Sequence, residues 1–172
     1  INFNNPKISS ITIDAHKMLQ APYGTGVFIC RKGLIENVLT KEAEYVEGMD
    51  LTLCGSRSGA NAVAVWMILF TYGPYAWYEK ISILMMRTQF LTKELDALGI
   101  EYYNCPFMNI VTIKAEFVPE NIAHKFGLVP QQHNENNKWY KIVLMDHVEV
   151  EHLTNFIDEM KTSKNDKKRI TT

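Results

Sequence analysis

Two short stretches of β-branched and apolar side chains open the chain. They cover residues 8–14 and 26–31, and the segment between them contains a proline and a glycine. This pattern predicts two strands joined by a loop. A short helix is predicted over residues 34–39, whereas residues 40–57 show no regular period and are interpreted as a loop.

The longest hydrophobic patterns lie in the middle of the chain. From residue 58 to 72 nearly every side chain is small or apolar. The run is too long for a strand and predicts a helix that is buried on most of its sides. Ser58 can cap this helix, and Gly73 with Pro74 ends it and begins the next one. The second helix has apolar side chains at steps of three and four and closes at Gly99, so we expect it to be a long element.

The last part of the chain alternates short strands with helices. The predicted strands cover 100–104, 109–114, 128–131 and 139–145, and the predicted helices cover 119–126 and 148–161. The chain therefore divides into a first part, residues 1–73, a connecting helix, 74–99, and a small α/β domain, 100–161. We expect the polar, basic segment 162–172 to be a flexible tail.

The composition is that of an ordinary globular protein. Hydrophobic residues make up 47% of the 172 positions and charged residues 22%, which excludes a mainly disordered chain. The 18 basic and 19 acidic residues give a net charge of −1, so no overall basic field indicates a nucleic acid or a membrane surface as partner. The longest apolar run, residues 62–70, is far shorter than the ~20 residues of a membrane span.

The cysteines and histidines form no recognisable metal or redox motif. The three cysteines are widely spaced, without a CxxC pair, at Cys30, Cys54 and Cys105. Such a sparse set is typical of reduced thiols, and we expect a cytoplasmic protein. Most of the histidines are spread over separate predicted elements, so no metal site is predicted. The chain begins with Ile1 rather than methionine, and we interpret it as a segment of a longer polypeptide.

The segment Asp14-Ala15-His16-Lys17 is the first candidate for chemistry. It follows the first predicted strand, and α/β proteins place ligands in loops at the carboxyl ends of strands. A lysine there can form a Schiff base once it has lost its proton, which burial and a neighbouring cation both favour. The alternative is a surface lysine after a strand, and these residues alone leave both interpretations open.

The segment Gly55-Ser56-Arg57-Ser58-Gly59 is the second candidate, directly before the predicted buried helix. Small residues, hydroxyl groups and free amides at a helix N-terminus can form an anion site. Arg57 adds a forked donor that suits phosphate or carboxylate. The alternative is a capped helix whose arginine tethers a loop.

Four segments of the chain carry a family resemblance, namely TIDAHKM, GTGVFICRK, EYVEGMDLTLCGSRSGANAVAVW and YKIVLMDHVEVEHLTNFIDEM. They resemble the pyridoxal-phosphate-dependent group II amino-acid decarboxylases, nearest to archaeal tyrosine/aspartate decarboxylases and also similar to histidine and serine decarboxylases. The resemblance runs from about residue 7 to residue 161. It implies an α/β fold, the C-terminal part of a fold-type I pyridoxal-phosphate-dependent transferase, with the end of the large cofactor-binding domain in residues 1–73. It also implies a homodimer with shared active sites.

The resemblance also implies roles for individual residues. Lys17 matches the lysine that holds pyridoxal phosphate as a Schiff base, and His16 matches the histidine that contacts the cofactor phosphate. Gly55 and Ser56 match the turn that completes the phosphate site of the neighbouring subunit. Tyr45 matches a mobile-loop tyrosine that protonates the substrate carbon after CO2 leaves.

Lys141, in the last predicted strand, is a candidate substrate contact. Several family members carry an arginine near this position, where it can meet the substrate carboxylate. A lysine is a point charge without the planar fork of arginine, so the match is imperfect. The family's N-terminal half, which supplies most phosphate ligands, is not among these residues. We therefore expect the 172 residues alone to be inactive and the N-terminal half of the same protein to be their partner.

Three functions remain open at this point. The first is decarboxylation of an L-amino acid to its amine and CO2 through a Schiff base on Lys17. The second is another reaction of the same cofactor, by a carbon–carbon lyase or an aminotransferase. The third is an inactive C-terminal fragment that acts as a dimerisation module. The His-Lys pair together with the GSRSG turn favours the first, and the resemblance slightly favours an aromatic substrate.

Overall fold

An antiparallel pair of strands forms where the first two hydrophobic stretches were found. Strand β1 (Ser10–Asp14) pairs along its whole length with β2 (Gly26–Cys30), so that Asp14 lies opposite Gly26 at one end of the ladder. Both predicted strands are confirmed. The helix predicted over 34–39 is a single 3-10 turn, Ile35–Val38.

The computed structural model describes residues 2–38, 57–133 and 137–170. These residues belong to two compact units, Ile1–Pro74 and Tyr75–Thr172, and each unit is described by itself. The division into domains at residues 73, 99 and 161 stays a prediction. Within the described ranges, no helix has an apolar stretch long enough to cross a membrane.

Arg31 fixes the segment that leads into β1. Its Nε atom donates a hydrogen bond to the carbonyl oxygen of Ile8 at 2.8 Å, and Nη2 donates to the carbonyl oxygens of Phe3 and Asn5 at 2.7 and 2.9 Å. The guanidinium carbon also lies 5.5 Å from the centre of the Phe3 ring. One arginine thus satisfies three backbone acceptors that no strand partner reaches, because its planar group carries several donors.

Helix α1 (Gly59–Ala97) contains the two helices that the sequence predicts, interrupted where it predicts. The Oγ atom of Ser58 accepts a hydrogen bond from the backbone N–H of Asn61 at 3.2 Å, so the predicted cap is confirmed. Gly73 has φ 61° and ψ 178°, which is not helical, and Pro74 follows it. A positive φ is easily adopted by glycine alone, so the break is encoded by this residue pair.

The second unit contains a four-stranded antiparallel sheet in the order β3-β4-β6-β5. Its strands are β3 (Tyr102–Asn104), β4 (Ile110–Lys114), β5 (Val129–Pro130) and β6 (Trp139–Val143). All four predicted strands are confirmed, although each is shorter than predicted, by one residue in β4 and by two in β3, β5 and β6. Pro130 is tolerated because β5 is an edge strand of the sheet, where a missing N–H leaves no ladder bond unmade.

The helices of this unit are α2 (Glu120–Lys125) and α3 (Val150–Ile170). The predicted end of the last helix at residue 161 is wrong, because α3 continues to Ile170. Lys161 and Lys164 explain part of this extension. Lys161 forms an ion pair with Glu94 at 3.2 Å, and the Nζ atom of Lys164 donates to the carbonyl oxygen of Leu98. The flexibility expected of residues 162–172 stays a prediction.

One hydrophobic core occupies the second unit. It joins the last turns of α1, one face of the sheet, α2 and α3, and its buried members include Leu91, Leu95, Val111, Ile113, Ile142, Leu144, Leu153, Phe156 and Ile157. The alternation of side chains along β4 explains how this strand contributes to the core. Val111 and Ile113 point to one face of the pleat, while Thr112 lies between them. Thr88 of α1 is polar and buried, and its hydroxyl donates to the carbonyl oxygen of Leu84 at 2.8 Å.

Truncation of Leu95 tests this core. Leu95 is fully buried, whereas Met86 on the same helix is 59% exposed. We expect Leu95→Ala to lower the free energy of unfolding by about 3 kcal/mol, because it removes buried methyl groups and leaves a cavity. Met86→Ala, the matched control, changes it by no more than about 0.5 kcal/mol. Urea unfolding measures both, and equal losses for the two variants would contradict the described core.

Candidate active site

A tight turn directly after β1 carries the first candidate motif. The backbone N–H of Lys17 donates to the carbonyl oxygen of Asp14 at 3.0 Å, and the N–H of Gln20 donates to the carbonyl oxygen of Lys17 at 3.0 Å. The N–H of Ala21 returns to the carbonyl oxygen of Ala15, also at 3.0 Å. Gln20 takes a positive φ of 55°. These bonds leave the backbone on both sides of Lys17 with little freedom.

Burial of Ala15 anchors the turn on the rest of the first unit. Ala15 is fully buried, and it forms a small cluster with Ala21 and with Val65 of α1. Leu19, Val27 and Ile68 pack against the same cluster. The apolar run that opens α1 thus has a second purpose, because its inner side supports the turn that carries Lys17.

His16 is held by one backbone oxygen. The backbone nitrogen of His16 lies 3.3 Å from the carbonyl oxygen of Thr25, and the ring atom Nδ1 lies 3.0 Å from the same oxygen. Because a carbonyl oxygen only accepts, the proton resides on Nδ1, and Nε2 is the ring atom left for a ligand. The hydroxyl of the buried Thr25 in turn donates to the carbonyl oxygen of Pro22. The ring of Tyr23, which is 93% exposed, lies 5.4 Å from the imidazole.

Lys17 carries its amine at the surface of the described chain. Its Nζ atom lies 2.7 Å from the Oδ2 atom of Asp14, and the two side chains are 67% and 45% exposed. The hydrogen bond and the positive charge of Lys17 lower the pKa of the Asp14 carboxyl below its ordinary value. We expected burial and a neighbouring cation to favour loss of the Lys17 proton. The described residues do not bury Lys17, and its nearest charged partner is the anion Asp14 rather than a cation. The sequence motif includes Asp14, but no role was predicted for it. Its position three residues before Lys17 could have indicated an ion pair between the two side chains.

The second candidate motif is described only from residue 57. Tyr45, Gly55 and Ser56 lie outside the described residues, so the roles that the resemblance implies for them stay predictions. Arg57 is exposed, and Ser58 acts as the cap of α1.

Lys141 lies in the second unit, on strand β6. It is exposed and pairs in register with Thr112 of β4 on one side and Val129 of β5 on the other. Tyr103 and Trp139 line the same cavity of about 420 Å³ on this sheet. Aromatic rings beside a cationic side chain suit a substrate with a carboxylate and an aromatic body. The contact of Lys141 with the substrate stays a prediction.

Sequence comparison relates the chain to named decarboxylases. It is 56% identical over 160 residues to the tryptophan decarboxylase of Clostridium sporogenes, an alignment that covers 93% of this chain and 38% of that protein. It is 31% identical over 174 residues to a probable L-tyrosine/L-aspartate decarboxylase of Methanococcus maripaludis, which covers 95% of this chain and 43% of that protein. No protein-family model matches the chain.

Solved structures show the same fold. L-methionine decarboxylase from Streptomyces sp. 590 superposes with a TM-score of 0.68 at 21% identity, over 89% of this chain and 31% of that chain. The sphingosine-1-phosphate lyase of Burkholderia pseudomallei superposes with a TM-score of 0.73 at 16% identity, over 94% of this chain and 39% of that chain. The fold is therefore that of part of a fold-type I pyridoxal-phosphate-dependent transferase, as predicted.

These findings define the class of protein. The chain has the fold-type I architecture, and its sequence is similar to proteins named as amino-acid decarboxylases. It spans about two-fifths of the length of the curated relatives that it matches.

Titration of Asp14 tests the geometry of the turn without any cofactor. We expect the pKa of its carboxyl to lie below the ordinary value and to rise towards that value in Lys17→Met, because the hydrogen bond and the positive charge are removed. In the wild type, the ion pair is present above the ordinary pKa of an aspartate and is lost as the pH falls through the lowered pKa of Asp14.

Lys32→Met is the matched control, since Lys32 is an exposed lysine elsewhere in the same unit. It leaves the Asp14 titration unchanged. Carbon-detected NMR of the side-chain carboxyl measures both variants. An Asp14 pKa that is the same in wild type and Lys17→Met would contradict the ion pair.

Proposed function

We propose that the complete polypeptide carrying this chain decarboxylates an L-amino acid to its amine and CO2, with pyridoxal phosphate bound to Lys17. The observation that carries the proposal is the turn after β1. It presents a primary amine and, next to it, an imidazole ring held by Thr25. The proposal is supported by the 56% identity to a tryptophan decarboxylase.

The groups at this turn fit pyridoxal phosphate. The exposed amine of Lys17 can condense with an aldehyde, since its nitrogen ends a flexible side chain at the surface. The ring of His16 can stack on an aromatic cofactor, and Nε2 can donate to a phosphate oxygen when it also carries a proton, because Nδ1 already donates to Thr25. When bound, pyridoxal phosphate supplies an electron sink for the pair of electrons released with CO2.

The residues of the chain then have separable tasks. Lys17 would hold the cofactor through its side-chain nitrogen, which the substrate amine would have to displace. The buried Ala15 keeps the turn in place. This matters for the rate because a shift of about 1 Å in a reacting group slows the reaction considerably. Lys141 attracts the substrate carboxylate by its charge. Tyr45 returns the proton to the substrate carbon, and Gly55 and Ser56 complete the phosphate site.

We further propose an aromatic amino acid, tryptophan first, as the substrate. The name of the relative with 56% identity supports tryptophan, and the names of the relatives near 30% support tyrosine or aspartate. The higher identity of the first relative favours tryptophan. The aromatic lining of the cavity beside Lys141 agrees with this choice.

Product analysis tests both parts of the proposal. With pyridoxal phosphate, the complete polypeptide is expected to convert tryptophan to tryptamine and CO2 faster than it converts tyrosine or aspartate. Lys17→Ala lowers the rate by at least about 10³-fold because the covalent attachment is lost, whereas Lys32→Ala retains it. Full activity of Lys17→Ala, or a product formed from tryptophan without CO2, would overturn the proposal. Faster turnover of aspartate would overturn the substrate alone.

We also propose that the rest of the polypeptide covers an apolar face of α1. Val63, Trp66, Met67 and Phe70 occupy one helical face and are 55%, 61%, 55% and 75% exposed. The rings of Trp66 and Phe70 stack with their centres 5.2 Å apart. So large an apolar face is rarely left in water, and the relatives have about three-fifths of their length outside the matched region. A homodimer is proposed from the resemblance, and a cytoplasmic location is proposed from the sparse, widely spaced cysteines.

A charge on this face tests the proposed cover. Phe70→Lys is expected to lower the melting temperature of the complete polypeptide by several degrees, because an unpaired buried charge is strongly destabilising. Thr154→Lys, at an exposed position of α3, is the control and has no such effect. Equal, small effects would contradict a covered face. A loss that disappears at high protein concentration, with dissociation seen in sedimentation, would assign the face to a second copy instead.

A further inference from the structure

The side chain of Lys17 extends from a turn whose backbone is held by hydrogen bonds. Asp14 ends the β1–β2 ladder opposite Gly26, and Ala15 is fully buried. The backbone N–H of Lys17 is bonded to Asp14, and the N–H of His16 approaches Thr25. The lysine nitrogen lies at the end of a long, flexible side chain, so holding it in one place costs side-chain entropy.

Within the described ranges, the ion pair recorded for the Lys17 nitrogen is with Asp14. The atoms Nζ and Oδ2 are 2.7 Å apart, which is the distance of a charge-assisted hydrogen bond. Asp14 thus binds Lys17 twice, through its carbonyl oxygen to the backbone N–H and through its carboxylate to the amine. An aspartate that merely capped the turn would need only one of these contacts.

Among the residues that the structure describes, the other ionisable groups near the turn leave this role to Asp14. His16 belongs to the same turn and its ring is engaged by Thr25, while Tyr23 contacts the imidazole. The part of α1 that packs on the turn, from Gly59 to Phe70, has no charged side chain. Arg31 is engaged with carbonyl oxygens of residues 3, 5 and 8.

We propose that Asp14 is a positioning residue for Lys17, and that its carboxylate is the counter-ion of the lysine nitrogen both in the unmodified, charged side chain and in the cofactor adduct. This inference rests on the proposed function. Attachment joins that nitrogen to the aldehyde carbon of pyridoxal phosphate with loss of one water, so the atom that Asp14 holds becomes the nitrogen of the adduct. A carboxylate beside it favours the protonated, cationic form of the adduct over the neutral form.

The pH dependence of the visible absorbance of the adduct tests this role. In the complete polypeptide loaded with pyridoxal phosphate, Asp14→Asn is expected to lower the pH midpoint of the absorbance change by about one unit, because the negative charge is removed while the shape is kept. Asp14→Glu retains the charge and stays close to the wild-type midpoint. A role limited to the shape of the turn would not separate these two variants.

Asp158→Asn is the matched control. Asp158 and Lys161 are also spaced i, i+3 and lie 3.6 Å apart, in the other unit. This variant leaves the midpoint unchanged. A wild-type adduct whose midpoint is the same in Asp14→Asn would overturn the role of Asp14 and leave the proposed function intact. A wild type that forms no adduct on Lys17 would overturn the proposed function and this role with it.

Discussion

The structure of the site depends on the burial of one methyl group, that of Ala15. Its position fixes a turn that must otherwise hold a polar, charged sequence at the surface. Because Ala15 is enclosed by Ala21 and Val65, its neighbours have to point outwards. Asp14, His16 and Lys17 therefore emerge together at the end of β1, with the hydrogen bonds to Thr25 and Ala15 closing the loop.

The same constraint explains why the first part of α1 is so apolar. One side of this helix supports the turn through Val65 and Ile68, and the opposite side carries the exposed face of Trp66 and Phe70. A helix that is apolar on both sides is stable only between two layers. The described residues supply one layer, and relatives with a longer chain have the material for the second.

Periodicity gave the fold of the second unit because local pattern and tertiary packing agree there. Val111 and Ile113 lie on either side of the polar Thr112, and the break in α1 is encoded by Gly73, which readily takes a positive φ, and Pro74, whose ring fixes its own φ. The end of α3 could not be predicted in this way, since Lys161 and Lys164 are tied to α1 by contacts between distant residues.

The candidate site was predictable only in part. The His-Lys pair was visible in the sequence because it follows a strand and resembles a family motif. The ion pair of Lys17 with Asp14 has only one signal in the sequence, their spacing of three residues, and this spacing is informative only once the turn is known. Similarly, Thr25 looked like an ordinary loop residue, and its contact with His16 arises only once the β1–β2 ladder brings residues 14 and 26 together.

Borohydride reduction of the complete polypeptide in the presence of pyridoxal phosphate, followed by peptide mapping, tests the central claim most directly. The account predicts one reduced cofactor adduct on the peptide that contains Lys17. An adduct confined to another lysine, or no adduct at all, would contradict the assignment of the turn after β1 as the cofactor-attachment site.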